Sequence, residues 1–353
     1  MGRIRVLVAD DSALMRQTLK RIIAASADLD LVGLARDGED AVAKARELRP
    51  DVVSMDINMP KLDGVTALQM ILREKICPVV MVSSLTQKGA ATTFECLELG
   101  AFDFVAKPDG TVSSNMGVVA DELIRKLKAA ASRGIISRLQ RNRERRQPAT
   151  PLRATFENVT RQRAVAIGIS TGGPATLQDV LPLIPADVPA SLFLVQHMPP
   201  AFVASFSKRL DEHCSLKVVE ARSGMRVEPS VCYVAPGGMH LCLHRKMTGD
   251  VVIRTPTTPA TLFMPSVGVM MESVLNAYGK DTVGVLMTGI GDDGADQMVA
   301  IKQAGGYTIA ESQETAVVYG MPREAVERGG ACVVAPSHQI PGEIVKAVRR
   351  TIE

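Results

Sequence analysis

Five short runs of aliphatic and β-branched residues, each followed by apolar residues at helical spacing, set the strongest constraint on how this chain can fold. The runs fall at residues 4–9, 31–35, 51–55, 79–82 and 103–105, and Leu14, Thr18, Leu19, Ile22 and Ile23 mark the face of the first intervening helix. Strands joined through helices must run parallel, because a parallel pair needs a long crossover. The pattern therefore predicts a five-stranded parallel sheet of the flavodoxin-like kind, covered by helices on both faces. A last helix is expected at about 118–136. The pattern then breaks: Arg138, Arg141, Arg143, Arg145 and Arg146 crowd together, followed by Pro148 and Pro151. This stretch reads as a linker. Alternation resumes with strands at 164–169, 191–195, 217–220, 282–287, 307–310 and 332–334. A hairpin is expected near 231–254, with Pro236, Gly237 and Gly238 as turn material. At 353 residues the chain is too long for one typical core. The reading is α/β throughout, in two domains. Residues 1–125 form the first, 126–162 a helix end and basic linker, and 163–353 a doubly wound, mostly parallel domain with a β-hairpin.

Composition narrows the function classes. There are 41 basic and 38 acidic residues, a net charge of +3, so no strong field draws the chain to nucleic acid or to a membrane surface. The basic linker alone is a solvated connector, since no DNA-reading pattern accompanies it. No apolar run reaches the roughly 18 residues of a membrane span, and no signal-peptide h-region follows Met1. A cytoplasmic location is expected. The cysteines at 77, 96, 214, 232, 242 and 332 lack CxxC spacing and read as small buried hydrophobes.

Two constellations carry chemistry. Asp10 and Asp11 end the first strand, Asp56 the third and Ser83 the fourth, and Lys107 follows the fifth. Ligands of open parallel sheets bind beyond the carboxyl ends of the strands, so these side chains converge on one edge. Asp10-Asp11 alone could be a helix cap. Three convergent carboxylates instead call for a hard cation such as Mg²⁺, and a lysine with a hydroxyl can grip phosphoryl oxygens. Asp56 is then a candidate nucleophile.

The segments Val8-Ala9-Asp10-Asp11, Met55-Asp56-Ile57-Asn58-Met59-Pro60 with Asp63-Gly64, Met81-Val82-Ser83 and Val105-Ala106-Lys107-Pro108 resemble two-component receiver domains, over residues 3–125. The resemblance implies that Asp56 is the phosphoacceptor. It implies that Asp10, Asp11, Asp56 and the Asn58 backbone carbonyl hold Mg²⁺. Ser83 and Lys107 would sense the phosphoryl group, with Phe104 as the switching aromatic.

In the second half, Gly168-Ile169-Ser170-Thr171-Gly172 follows a strand and precedes a helix with Pro174 in its first turn. This G-x-S-x-G turn exposes a serine and leaves free N–H groups for an oxyanion. The third glycine of a dinucleotide loop is missing. His197 follows the strand at 191–195 and reaches the same edge as Ser170, unlike His213, His240, His244 and His338. After the strand at 282–287, Asp292 and Asp293 both qualify as the carboxylate, and spacing does not choose between them. The order Ser, His, Asp differs from that of α/β-hydrolases.

Residues 163–350 resemble the catalytic domain of chemotaxis receptor methylesterases. The matching stretches include Ser170-Thr171-Gly172-Gly173-Pro174, Gln196-His197-Met198-Pro199, Ala235-Pro236-Gly237-Gly238-Met239-His240, Pro265-Ser266-Val267, Thr288-Gly289-Ile290-Gly291-Asp292-Asp293-Gly294 and Tyr319-Gly320-Met321-Pro322. With the receiver in front, the resemblance spans the chain: a chemotaxis response regulator of the protein-glutamate methylesterase family. It implies a catalytic triad of Ser170, His197 and Asp293, with oxyanion donors at the backbone of Thr171 and Ile290. Ile290 stands where methionine is usual, and Gly268 stands where aspartate is usual. The implied activity removes methyl esters from receptor glutamates and deamidates receptor glutamines. Mg²⁺ would serve phosphorylation only, with none for hydrolysis. The implied partners are methyl-accepting chemotaxis receptors and a histidine kinase as phosphodonor, with the unphosphorylated receiver covering the catalytic face. Competing readings are a DNA-binding response regulator, a non-catalytic adaptor, and a receiver-regulated esterase for another ester.

Overall fold

The computed structural model describes residues 2–84, 86–107, 116–132, 134–144, 151–152, 156 and 162–350. The chain divides into two compact units, Met1–Arg145 and Arg146–Glu353. The first contains β1 (Ile4–Ala9), α1 (Ala13–Ala24), β2 (Leu29–Ala35), α2 (Gly38–Leu48), β3 (Val52–Asp56) and α3 (Gly64–Arg73). It continues with β4 (Val79–Ser83), α4 (Gln87–Leu99), β5 (Asp103–Ala106), α5 (Met116–Ala130) and α6 (Ile135–Glu144). Its sheet has the order β2-β1-β3-β4-β5 and every pairing is parallel. Every residue of β3, β4 and β5 is buried, as expected of parallel strands covered on both faces. Helix starts follow the sequence closely. Ser12, Asp37, Asp63 and Thr86 each accept a bond from a first-turn N–H of α1 to α4, each worth about 1 kcal/mol.

The single helix expected at 118–136 is instead two. The chain turns at Gly134, whose φ of +81° suits glycine and breaks the helix. Arg145, Arg146, Pro148 and Pro108 lie outside the described residues.

The second unit contains β6 (Arg163–Ile169), α7 (Gly173–Val180), β7 (Ala190–Gln196), α8 (Pro200–His213), β8 (Lys217–Glu220), β9 (Val231–Val234), β10 (Cys242–Arg245) and β11 (Val251–Arg254). Then follow α9 (Val267–Tyr278), β12 (Thr282–Leu286), α10 (Ala295–Gln303), β13 (Tyr307–Glu311), α11 (Met321–Glu327), β14 (Val333–Ala335) and α12 (Ile340–Arg349). Seven strands make one parallel sheet, ordered β14-β13-β12-β6-β7-β9-β8. The chain starts at the centre with β6, builds outward through β7, and returns to the other side of β6 with β12. That reversal opens a crevice at the carboxyl ends of β6 and β12.

The hairpin is β10–β11, and its turn is Lys246–Asp250 rather than Pro236–Gly238. Lys246 N–H donates to the Asp250 carbonyl at 2.7 Å, and Gly249 takes φ +91°. Pro236–Gly238 instead ends β9, which the main sheet claims between β7 and β8. With few aromatics, the core behind β6 is filled by Met270, Met271, Met298 and Met321, whose flexible side chains fit irregular space. Cys77, Cys96 and Cys232 are buried, and burial pushes the Cys77 and Cys96 thiols up to about 12. Cys332 departs from the expectation: it is exposed, at the outer end of the sheet beside β14.

One glycine locks the first sheet to α3. A Cβ on Gly64 would lie 1.9 Å from the Asp56 carbonyl oxygen, a backbone atom that cannot swing away. Gly64→Ala is therefore expected to destabilise the first unit by about 1–3 kcal/mol. Urea denaturation of the full chain measures this in the first unit's transition, and an unchanged midpoint would contradict it.

Candidate functional site

In the first unit, the carboxylates of Asp10, Asp11 and Asp56 offer oxygens within 4.8 Å of one another. β1 ends just before Asp10, and Asp56 is the last residue of β3. Lys107, just beyond β5, places its ammonium 2.9 Å from Asp10 Oδ2 and 2.8 Å from Asp56 Oδ2. Asp10 Oδ2 is buried and faces the same Lys107 ammonium that Asp56 engages. Burial is the largest influence on Asp56 and raises its pKa. Lys107 works against this, and the Asp10 charge adds to it, leaving the carboxyl above its ordinary range. Burial would lower the Lys107 pKa, but the two carboxylates outweigh it and hold the ammonium charged. A pocket with more buried negative charge than one lysine can satisfy suits a hard divalent cation bound by oxygens.

The other positions singled out from the sequence lie on or just beyond neighbouring strands. Ser83, buried at the end of β4, has its hydroxyl 2.7 Å from that of Thr93 on α4, and the Thr93 hydroxyl also lies 2.7 Å from the Gly89 carbonyl. Phe104 is buried, edge-on to Phe94 at 6.3 Å, with the buried Lys126 ammonium 5.2 Å from its ring. Asn58, two residues past the end of β3, is exposed. Thr93 and Lys126 carried no sequence signal, because a threonine and a lysine on helices ordinarily face solvent.

In the second unit, Ser170 directly follows β6, His197 directly follows β7, and Asp293 lies in the loop after β12. Gln196 ties the first two together: its side-chain amide donates to the Ser170 and His197 carbonyls, each at 2.9 Å. A Cβ on Gly173 would meet its Oε1 at 2.0 Å, so glycine is needed there. The backbone N–H of Ser170 donates to the Thr288 carbonyl at 2.9 Å. Thr288 Oγ1 donates to the Thr171 carbonyl at 2.8 Å, and Thr288 N–H to the buried carboxylate of Glu311 at 2.8 Å. A Cβ on Gly289 would lie 2.8 Å from Ser170 Cβ, so its bare Cα lets the β12 loop close on the serine.

His197 Nε2 lies 2.9 Å from Asp293 Oδ2. The ring stacks on Phe263 with centroids 4.2 Å apart and planes 11° from parallel. Nδ1 is buried without a hydrogen-bond partner. An ionised carboxylate only accepts, so the proton sits on Nε2 and Nδ1 presents its lone pair. Asp293 Oδ1 accepts from Ser266 Oγ and Gly268 N–H at 2.9 Å each, and Oδ2 also accepts from Val267 N–H at 2.7 Å. These donors form the start of α9, capped by Ser266. Burial would raise the Asp293 pKa, but the His197 bond and charge and the Gly268 and Val267 N–H groups outweigh it, holding the carboxyl below its ordinary range.

Of the two aspartates, Asp293 is the one that meets His197. Asp292 points away to an exposed bond with Arg328, at 2.6 Å. Gly268, at the unusual position, contributes its main chain; a Cβ there would lie 3.1 Å from Asp293 Oδ1. Among the described residues, the N–H groups of Thr171 and Ile290 have no protein acceptor. They flank the turn at Ser170 and the loop after β12. Of the other histidines, His213 bonds the Arg209 carbonyl on α8 at 2.8 Å, and His240 is fully buried with both ring nitrogens bonded. Neither presents a free ring nitrogen beside Ser170. Sequence reasoning gave Ser266 and Gln196 no role, although the Pro-Ser-Val start of α9 is a capping signature.

Comparison with known proteins identifies relatives of both units. Residues 165–344 match the CheB methylesterase family, and residues 6–112 match the response regulator receiver domain. The protein-glutamate methylesterase/protein-glutamine glutaminase 3 of Syntrophomonas wolfei is 58% identical over 354 residues, covering 98% of this chain and 100% of that one. A protein-glutamate methylesterase/protein-glutamine glutaminase of Caldanaerobacter subterraneus is 51% identical over 360 residues, covering 98% and 97%. The crystal structure of the Thermotoga maritima CheB methylesterase catalytic domain is 37% identical with a TM-score of 0.51, covering 53% of this chain and 99% of that one. Family-model matches in both units and 58% identity to a relative across nearly the whole chain make this chain a member of the CheB methylesterase family, with a receiver domain preceding its catalytic domain.

Proposed function

We propose that the chain is a phosphorylation-activated serine hydrolase that demethylates glutamyl methyl esters, and deamidates glutamines, on chemoreceptors. The single observation that carries this is the His197 ring, fixed at Nε2 by Asp293 and left with a buried, unpartnered Nδ1 on the sheet edge that bears Ser170. Nδ1 takes the Ser170 proton as Oγ bonds the ester carbonyl carbon. The Thr171 and Ile290 N–H groups receive the negative charge on the carbonyl oxygen. Nδ1–H then passes its proton to the departing methoxy group, which leaves as methanol. Water gives a proton to Nδ1 and attacks the acyl carbon, and Ser170 recovers its proton as the carboxylate is released. With a glutamine, ammonia leaves in place of methanol. Asp293 stays ionised throughout and stabilises the imidazolium.

In the receiver, Asp56 is the proposed phosphoacceptor, Ser83 and Lys107 contact the phosphoryl group, and Phe104 responds by repacking. Asp10, Asp11, Asp56 and the Asn58 carbonyl are the proposed Mg²⁺ ligands; the ion would offset negative charge as the phosphoryl group transfers. A chemotaxis histidine kinase is the proposed phosphodonor. No described helix is long and apolar enough to cross a membrane, and the substrate lies on a partner.

Three outcomes are expected. Ser170→Ala should lose several orders of magnitude in methanol release from methylated receptor membranes, with receiver phosphorylation unchanged. Near-normal release would remove Ser170 from the mechanism.

Asp56 titrates upward in the folded chain, so ionising it costs stability as pH rises through that raised value. Asp56→Asn should thus raise the receiver's melting temperature at pH 7 without Mg²⁺. Added Mg²⁺ should stabilise the wild type more than the variant. Calorimetry in which Mg²⁺ raises both melting temperatures equally would contradict the site.

A small phosphodonor should raise full-length activity by a factor within about 5–150. It should leave a fragment starting at residue 163 unchanged. Equal stimulation of the fragment would separate activation from the receiver.

A further inference from the structure

We propose that His240 is a positioning residue for hydrolysis: its ring pins both ends of the segment 259–266, which holds His197 by its edge and by its face. The inference rests on the reading of Ser170, His197 and Asp293 as the hydrolytic triad.

His240 lies beyond β9, is 0% exposed, and commits both ring nitrogens. Nδ1 accepts the backbone N–H of Ser266 at 3.2 Å, and Nε2 lies 2.8 Å from the Pro259 carbonyl. A nitrogen that accepts carries no proton, so the ring is neutral with its hydrogen on Nε2, donated to Pro259. It is therefore unable to serve as a second base, and its bonds act on the chain between them.

That short chain carries two of the groups that constrain His197. At its far end, Ser266 is pinned by its N–H while its hydroxyl donates to Asp293 Oδ1 at 2.9 Å. Asp293 in turn meets His197 Nε2. In the middle, Phe263 lies flat against the imidazole. Releasing His240 would free the cap of α9 and the stacking ring together. The chemistry depends on Nδ1 being aimed at Ser170, and misplacement by about 1 Å can cost about 100-fold in rate. Asparagine is the informative replacement, because its Oδ1 can occupy the accepting position of Nδ1 and keep the Ser266 end of the segment bonded.

The full-length protein, treated with phosphodonor, is assayed on methylated receptor membranes for kcat and KM, with melting temperature recorded. His240→Ala and Ser266→Ala are each expected to lower kcat by about 10- to 100-fold with KM nearly unchanged. The double variant should fall no further than the worse single one, to within about threefold, because both act through one path. His240→Asn should recover most of the loss. Losses that multiply in the double variant, or a His240→Ala protein that melts lower yet keeps its kcat, would overturn the proposal. If His240→Ala does not fold, Ser266→Ala and His240→Asn decide: normal kcat in Ser266→Ala overturns it. Ser170→Ala in the same assay separates the two readings, since activity surviving there would reject the triad itself, whatever His240 does.

Discussion

The carboxylate of Asp293 accepts four hydrogen bonds in a largely buried position: from His197, Ser266, Val267 and Gly268. Burial of an ionised carboxylate without partners would cost several kcal/mol or neutralise it. Here the open N–H groups at the start of α9 do for the aspartate what they would do for a bound anion, aided by the positive end of the helix dipole. The aspartate thus stays charged, and a charged aspartate fixes both the orientation and the tautomer of His197. The loop that delivers it, from Thr288 to Gly294, is itself tied to Ser170 through Thr288 and Gly289. One anion therefore links β6, β7, β12 and α9 at the crevice where the sheet reverses.

The receiver uses the same sheet geometry with the opposite electrostatic result. Asp56 sits at a strand end among carboxylates, with only Lys107 opposing them, and its pKa moves up. Asp293 sits among donors, and its pKa moves down. The first arrangement leaves excess negative charge of the kind a hard cation offsets. In the second, backbone and side-chain donors of the chain itself satisfy the carboxylate. That contrast fits a regulated site in one unit and a preorganised site in the other.

Much of this was legible in the chain. The carboxyl ends of parallel strands share one edge, so Asp10, Asp56 and Lys107, and likewise Ser170 and His197, could be brought together from strand positions alone. Asp292 and Asp293 could not be separated, because Gly291 and Gly294 both take positive φ and the direction of each side chain follows from that path. The role of Ser266 depends on where α9 docks, and the role of the buried Glu311 on which side chains close over it; neither is a local property of sequence. The hairpin turn was misplaced because Pro236-Gly237-Gly238 has turn chemistry but follows β9, which pairs in parallel with β7 and β8 in the main sheet and not with β10. The break at Gly134 was missed because a single glycine within a helical pattern is ordinarily tolerated.

The central claim is that Asp293, and not its neighbour, makes Ser170 nucleophilic through His197. A serine-directed phosphonofluoridate measures this directly, as the rate of covalent labelling at Ser170 followed by mass spectrometry. Labelling should fall by orders of magnitude in Asp293→Asn and remain at the wild-type rate in Asp292→Asn, whose side chain bonds Arg328 and not His197. Equal rates in Asp293→Asn and the wild type, or labelling at a serine other than 170, would contradict the account.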